Sequence, residues 1–310
     1  MSIKKILKSI MPGTYKFLQT KKLELEYFVR KHTNPKNYPR VLEKKYYKFT
    51  GQKMDFEHPI TYSQKIQWLK INDPNPLRST LADKIAVRDW IKASIGEEYL
   101  VPALGVYDSF DDINFDALPE KFVIKTNHSS GWNIVVKDKK SFDIAAARKK
   151  INKWLSLDYA FWTEYEPHYS KIKPRILIEQ YLEDSSGGLT DYKFLCFGGE
   201  AKFVWVDFDR FTNHKRNVYD MDWNLQPWSQ FTYGNYEGEA LPPPNFDEMK
   251  RIAQTLCKGF IHVRVDLYNV DGKIYFGEMT FTNGSGFEQL HPDKYEYEIG
   301  KLIKLPIDDI

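Results

Sequence analysis

The sequence predicts an α+β fold, with helices and mostly antiparallel strands arranged in several layers. Short apolar runs broken by Gly, Pro and Asp read as strands: Phe122-Val-Ile-Lys-Thr126, Asn133-Ile-Val-Val-Lys137, Arg175 to Leu182, Lys193 to Phe197 and Lys202 to Asp207. Longer stretches with helical apolar spacing alternate with them, at about Tyr15 to Lys31, Arg40 to Thr50, Ser63 to Lys70, Leu81 to Ile91, Phe142 to Leu157 and Phe246 to Lys258. A third pattern, from His262 to Thr280, alternates like two strands around an Asp271-Gly272 turn.

Composition sets the outer bounds. A chain of 310 residues buries a large core and has room for two or three subdomains. Its 42% hydrophobic and 28% charged residues are ordinary for a water-soluble protein. A net charge of +3 gives no case for nucleic acid as a partner. Two cysteines, Cys196 and Cys257, make no disulfide framework and fit a reducing cytoplasm. No apolar run reaches the roughly 18 residues of a membrane span, and the basic N-terminus lacks a secretory signal's apolar core. Ser2 to Met11 reads as a short basic amphipathic helix. It suits an anionic membrane surface, or packing on its own protein or a partner.

The hairpin carries the chemistry. With a three-residue loop, Asp266 lies opposite Glu278 and Arg264 opposite Thr280, all on one face. Directly opposed side chains sit about 5 Å apart, so two unpaired carboxylates there repel and a divalent cation between them is a natural resolution. Arg264 on the same face suggests an anion such as phosphate at the metal. A two-residue loop would put the two acids on opposite faces. A surface hairpin with solvated charges is the competing reading.

Other groups join it. Lys125 ends an apolar strand and leads into a small-residue loop with Ser129, Ser130 and Gly131, whose hydroxyl and N–H groups can cover a nucleotide phosphate. Glu179, Gln180, Tyr181 and Leu182 follow the apolar Ile176 to Ile178, where an emerging strand offers backbone groups and apolar walls to an adenine. Lys193, two residues after Asp191, is a second candidate for the phosphates. The polar stretch from Asp207 to Asn217 contains Arg210, His214 and Arg216, candidates for gripping an anionic substrate, or else members of a solvated loop. Asp207-Phe208-Asp209 also matches a D-x-D pattern of metal-dependent glycosyltransferases, a three-residue match common by chance. His32, His58, His168 and His291 show no partner spacing.

Taken in order, these groups resemble the ATP-grasp enzymes, and more closely the TupA-like (teichuronopeptide biosynthesis) branch. The resembling stretches are Tyr62 to Lys70, Leu81 to Lys84, Lys125 to Trp132, Asp191 to Phe194, Asp209-Arg210, Arg264 to Tyr268 and Gly277 to Phe281. The resemblance implies two α+β subdomains clasping a nucleotide, within residues 119–310, preceded by a small domain at 59–118 and a helical extension at 1–58. Lys125 and Lys193 would contact the phosphates of ATP, and Glu179 to Leu182 would receive adenine. Asp266 and Glu278 would bind Mg²⁺, with Glu278 bridging two ions, and Arg264 would stabilise the transferring phosphoryl group. ATP-grasp enzymes usually carry Asn two residues after that Glu. Here it is Thr280, with Asn283 close enough to substitute.

The implied activity is an ATP-dependent carboxylate–amine ligase working through an acyl-phosphate. Its implied partners are a uronic acid of a cell-surface polysaccharide and an amino acid or amine. The implied location is the cytoplasm, at the inner face of the membrane. A metal-dependent glycosyltransferase using Asp207 and Asp209, and a non-catalytic protein retaining a nucleotide site, are the rival readings.

Overall fold

Two larger antiparallel sheets form from these apolar runs, with Ile176–Gln180 and Thr190–Phe197 buried along almost their whole length. The computed structural model describes residues 12–185, 189–208, 214–230, 234–238 and 240–308. The basic segment Ser2 to Met11 and the candidate Arg210 lie outside the described residues.

The chain opens with helices Pro12–Lys31 and Tyr38–Thr50. Both are tied to the body. The Arg30 guanidinium is buried and donates to the Phe161 carbonyl at 2.7 Å and to Glu164 at 2.8 Å. Leu42 and Tyr46 pack with Met54, Phe56 and Tyr165. A capping box of Thr61 and Gln64 starts the helix Tyr62–Asn72.

The helix expected from Leu81 to Ile91 is instead two, Leu77–Ala82 and Val87–Ser94. Asp83 makes the break. Its backbone is extended, and its carboxylate accepts from the Ile85 N–H at 2.8 Å and from the Asn127 amide at 2.9 Å. Local bonding of this kind competes with the helix ladder, and it turns Lys84 out of the helix.

The first sheet contains β1 (Ala103–Tyr107), β2 (Phe122–Thr126), β3 (Asn133–Val136) and β4 (Ile176–Gln180) in the order β1-β4-β2-β3. Phe122, Ile124, Ile176 and Ile178 pack with Ala147 and Ile151 of the helix Ile144–Leu155. β1 was not anticipated, because its residues show no clear alternation.

The second sheet contains β5 (Thr190–Phe197), β6 (Glu200–Phe208) and β7 (Lys215–Asp220), then β9 (His262–Val270) and β10 (Lys273–Thr280), in the order β10-β9-β5-β6-β7. Between them in sequence, β8 (Ser229–Gln230) pairs with β11 (Leu290–His291). β7 occupies part of the stretch read as polar loop, and Arg216 on it is buried.

The two faces of this sheet differ. Phe194, Cys196, Val204, Val206, Val263, Val265 and Leu267 pack under the helix Phe246–Leu256. On the opposite face, Leu195, Phe197, Trp205 and Val218 join Tyr62, Ile66 and Leu69. Each such side chain contributes about 1.5–3 kcal/mol by leaving water. Farther along the same strands that face turns charged, with Asp191, Lys193, Asp207, Arg264 and Asp266.

His262 marks the border. The Cys196 carbonyl can only accept, so His262 Nδ1 carries the proton toward it at 2.8 Å and Nε2 accepts from the Tyr62 hydroxyl at 3.3 Å. Burial, with Arg264 nearby, pushes its pKa down from 6.5 to about 3. Burial lowers His168 and His128 in the same way. Unfolding lets each take up a proton, so the stability these neutral rings lend is complete above pH 6.5 and is lost as pH falls. Each contributes at most about 1.4 kcal/mol per pH unit. Denaturant midpoints measured between pH 6.5 and 4.5 are expected to fall, and His262→Gln is expected to shallow that slope by about one proton. An unchanged slope in the variant would count against the assignment.

Candidate active site

A cleft of about 610 Å³ lies between the charged face of the second sheet and the first sheet. That is within the range of small-molecule sites. Tyr181, Leu182 and Leu189, from the stretch that joins β4 to β5, line it together with residues of both sheets.

From the first sheet comes Lys125 on β2. Val123 pairs with Glu179 on β4, and two residues farther along Lys125 pairs with Leu177. The Lys125 ammonium reaches Glu179 Oε2 at 2.5 Å, while Arg88 Nη1 sits 3.1 Å from Glu179 Oε1. Glu179 is buried, so these two cations supply the compensation a buried charge needs.

Ser130 and Gly131 line the cleft. Ser129 does not: it is buried, with its hydroxyl 2.6 Å from that of Thr126. Gln180, Tyr181 and Leu182 line the wall, and the Tyr181 ring lies 5.7 Å from the Lys121 ammonium and 5.6 Å from that of Lys137. The Gln180 N–H is used by the Pro102 carbonyl at 3.0 Å.

From the second sheet comes an alternation of acids and bases. Lys193 contacts Asp191, Asp266 at 3.2 Å and Asp207 at 3.6 Å. Arg216 clasps Asp207 through Nε at 2.5 Å and Nη2 at 2.9 Å, and also donates to Gln230. His214 Nε2 is 3.1 Å from the same carboxylate. Burial pushes Asp207 up, but the Arg216 guanidinium more than reverses this and holds it well below the carboxylate range. Arg216 lines the cleft, with its guanidinium engaged by Asp207 and Gln230.

The hairpin brings Glu278 opposite Asp266 by a different route from the one expected. Val270 pairs with Lys273, so the loop is the two residues Asp271 and Gly272, with φ of 49° and 88°. The expected three-residue loop is absent. Pairing slips by one at a bulge at Gly277, and beyond it Glu278 faces Asp266 and Thr280 faces Arg264.

Arg264 occupies the middle. It grips Asp266 with Nε and Nη2, both at 2.6 Å, and approaches Thr280 Oγ1 at 3.1 Å, Glu278 at 3.4 Å and the Asn283 side-chain oxygen. The repulsion between the two acids is thus relieved here by a guanidinium. Burial raises Asp266, and Arg264 with Lys193 brings it below the ordinary carboxylate value. The Thr280 hydroxyl bonds Glu278 at 3.1 Å, whereas Asn283 lines the cleft. Asp266, Glu278 and Asn283 offer hard oxygen donors on one wall, a set that fits Mg²⁺.

Lys84 received no role from the sequence. The break at Asp83 swings it into the cleft, where it donates to the Ser129 carbonyl and lies 3.9 Å from Glu278. Burial lowers its pKa. The available signal was an Asp able to end a helix just before a Lys. Glu288 was also missed. It lines the cleft and accepts from Gln230 at 2.7 Å.

Among solved structures, the chain is similar to a D-alanine–D-alanine ligase from Bacillus anthracis complexed with ATP, at 15% identity and a TM-score of 0.39, over 69% of this chain and 56% of that one. It is similar to D-alanyl-alanine synthetase A from Vibrio cholerae O1 biovar eltor, at 13% identity and a TM-score of 0.44, over 79% of this chain and 68% of that one. An N5-carboxyaminoimidazole synthase from Aspergillus clavatus in complex with ADP matches at 9% identity and a TM-score of 0.37, over 69% of this chain and 46% of that one. The chain thus spans little more than half of the first of these proteins. No curated protein sequence matches it. The family model for TupA-like ATP-grasp proteins matches residues 64–304, well over half of the sequence, and the chain belongs to that family.

Proposed function

We propose that the protein is an ADP-forming carboxylate–amine ligase. The observation that carries this reading is a single cleft with Lys125 and Lys193 on facing sheets and Arg264 set among Asp266, Glu278 and Asn283.

In the proposed reaction, a substrate carboxylate oxygen attacks the γ-phosphorus of ATP. The bond to the β,γ-bridging oxygen breaks, giving ADP and an acyl-phosphate. An amine then attacks the acyl carbon, phosphate leaves and the nitrogen loses a proton, giving the amide. Mg²⁺, held by Asp266 and Glu278 with Asn283 or Thr280, would neutralise charge on the phosphates. Lys84, Lys125 and Lys193 would anchor the phosphate oxygens, with Ser130 and Gly131 covering them and the wall from Glu179 to Leu182 receiving adenine. Arg264 would pass from its carboxylate partners to the transferring group, a preorganised positive charge of the kind that stabilises such transition states. His214 and Arg210 are proposed to face the acceptor.

The proposed acceptor is a uronic acid of a cell-surface polysaccharide, joined to an amino acid or amine. The proposed organisation is the helical extension at 1–58, the small domain at 59–118 and the ATP-grasp domain at 119–310. Among the described residues no helix is long and apolar enough to cross a membrane. The helix Pro12–Lys31 exposes Phe17, Leu18, Leu25, Phe28 and Val29, which supports a peripheral location at the inner membrane face. The glycosyltransferase reading, with Asp207 and Asp209 at a metal, predicts instead that Asp266→Asn leaves ATP binding intact.

The test is ADP release from ATP and Mg²⁺ across a panel of uronic acids and amino acids, with Glu278→Gln beside the unaltered protein. Release that depends on both a carboxylate and an amine supports the ligase. Full turnover in the variant, or no release with any pair, opposes it. Lys84→Met is expected to raise the KM for ATP about tenfold, the cost of one charged contact of roughly 1.4 kcal/mol. An unchanged KM would remove Lys84 from the phosphate site.

A further inference from the structure

A completely buried lysine needs a reason, because an ammonium loses its hydration there. Lys70, on the helix Tyr62–Asn72, is 0% exposed. Its ammonium donates to the Ser285 carbonyl at 2.9 Å, lies 3.4 Å from the Ser285 hydroxyl and sits 4.8 Å above the Phe287 ring. One turn earlier on the helix, Gln67 is also 0% exposed and donates to the same carbonyl at 3.0 Å. A single carbonyl thus receives two buried donors from one helix.

That carbonyl belongs to an unusual turn. Gly284, Ser285 and Gly286 all have left-handed backbone, with φ of 53°, 51° and 73°. Ser285 is not glycine, and non-glycine residues adopt this region rarely. A Cβ on Gly286 would lie 2.8 Å from the Gln67 side-chain nitrogen, so the helix and the turn fit closely. The turn reverses the chain just after β10. Thr282, at its start, donates to Glu166. On its cleft side Asn283 accepts from Arg264, and its amide lies 3.4 Å from Glu288.

We propose that Lys70, supported by Gln67, is a positioning residue: it clamps the left-handed turn 283–286 from behind and so aims Asn283 at Arg264 and the Asp266–Glu278 pair. The helix contributes no lining residue to the cleft itself and acts through this turn. Burial pushes the Lys70 pKa down to about 7; Glu166 and Glu164 oppose this and Lys45 adds to it. An apolar side chain would fill the space but would leave the Ser285 carbonyl without its charged donor. The clamp stands on geometry alone, and only its consequence for turnover rests on the ligase reading.

The experiment is amide hydrogen exchange on the full chain, comparing Lys70→Met with the unaltered protein, followed by ADP-release kinetics. Exchange across 282–287 is expected to speed up at least tenfold, while β9 and β10 keep their protection. Turnover is expected to fall 10- to 100-fold and the Mg²⁺ requirement to rise, with the KM for ATP within threefold. A merely structural role would not produce that split. Unchanged exchange in the turn overturns the proposal, as does loosening spread equally over β9 and β10. If Lys70→Met does not fold, Gln67→Leu removes the second donor at similar volume, with a threefold or greater increase confined to the turn expected and no increase overturning the clamp. Failure of the unaltered protein to bind ATP would sink the ligase reading, and the exchange measurement would still decide the clamp.

Discussion

Asp266→Asn is expected to abolish turnover and to destabilise the fold, whereas Glu278→Gln is expected to abolish turnover alone. The two acids face each other across one hairpin, but their surroundings differ. Asp266 is 3% exposed and receives two 2.6 Å bonds from Arg264 and one of 3.2 Å from Lys193. Removing its charge leaves two buried cations short of their partner. Breaking a buried pair in this way costs about 3–5 kcal/mol. Glu278 has a side chain 29% exposed, and among the described residues its charged contacts lie at 3.4 Å and 3.9 Å. Such pairs contribute about 0–1 kcal/mol.

Both substitutions would remove a hard oxygen ligand from the proposed Mg²⁺ site, and a loss of about 10³-fold in turnover is expected from each. Urea midpoints and ADP release on the same preparations separate the two effects. Equal destabilisation by both variants would mean that the buried network does not depend on Asp266 as described. Acid should act in the same direction as Asp266→Asn. The carboxyl is held below its ordinary value by Arg264 and Lys193 against the opposing effect of burial, so the stability it lends is present above about pH 4 and is lost as pH falls through its folded pKa.

Much of this site could be read from the sequence because its residues sit on regular strands. Lys125 ends β2 and Lys193 lies in β5, while Arg264 and Asp266 alternate on β9, where a period of two was enough to put that last pair on one face. What escaped was set by local departures from regularity. Lys84 reaches the cleft because Asp83 bonds its own backbone and breaks a helix that periodicity alone would continue. Arg216 looked like a loop residue because β7 is dense in polar groups, and its buried partners Asp207 and Gln230 come from elsewhere in the chain. The turn 283–286 is stabilised by Lys70 and Gln67 more than two hundred residues earlier, a separation no local pattern reports. Ser129, grouped with the phosphate loop by composition, turns inward to bond Thr126.

Gly277→Val is expected to lower turnover about 100-fold while leaving ATP binding within a few-fold. The reasoning begins at the turn. A two-residue loop pairs Val270 with Lys273, and that register continues as far as Leu267 with Phe276. Continued one step farther, it would pair Asp266 with Gly277 and turn Glu278 to the apolar face, where Ile274, Phe276 and Met279 pack. The extra residue at Gly277 returns Glu278 to the cleft and preserves the apolar face beyond it. Glycine suits the bulge because the strands close in there. A Cβ would lie 3.1 Å from the Asp266 carbonyl oxygen and 3.2 Å from the Tyr268 ring. Alanine forces the backbone or the ring to give by a few tenths of an ångström, and the two γ-carbons of valine force more. Displacements approaching 1 Å at reacting groups cost on the order of 100-fold. ATP held mainly from the first sheet should still bind. Steady-state kinetics of Gly277→Ala and Gly277→Val beside the unaltered protein measure this gradient. Full turnover in the valine variant would show that the two acids are placed by something other than the bulge.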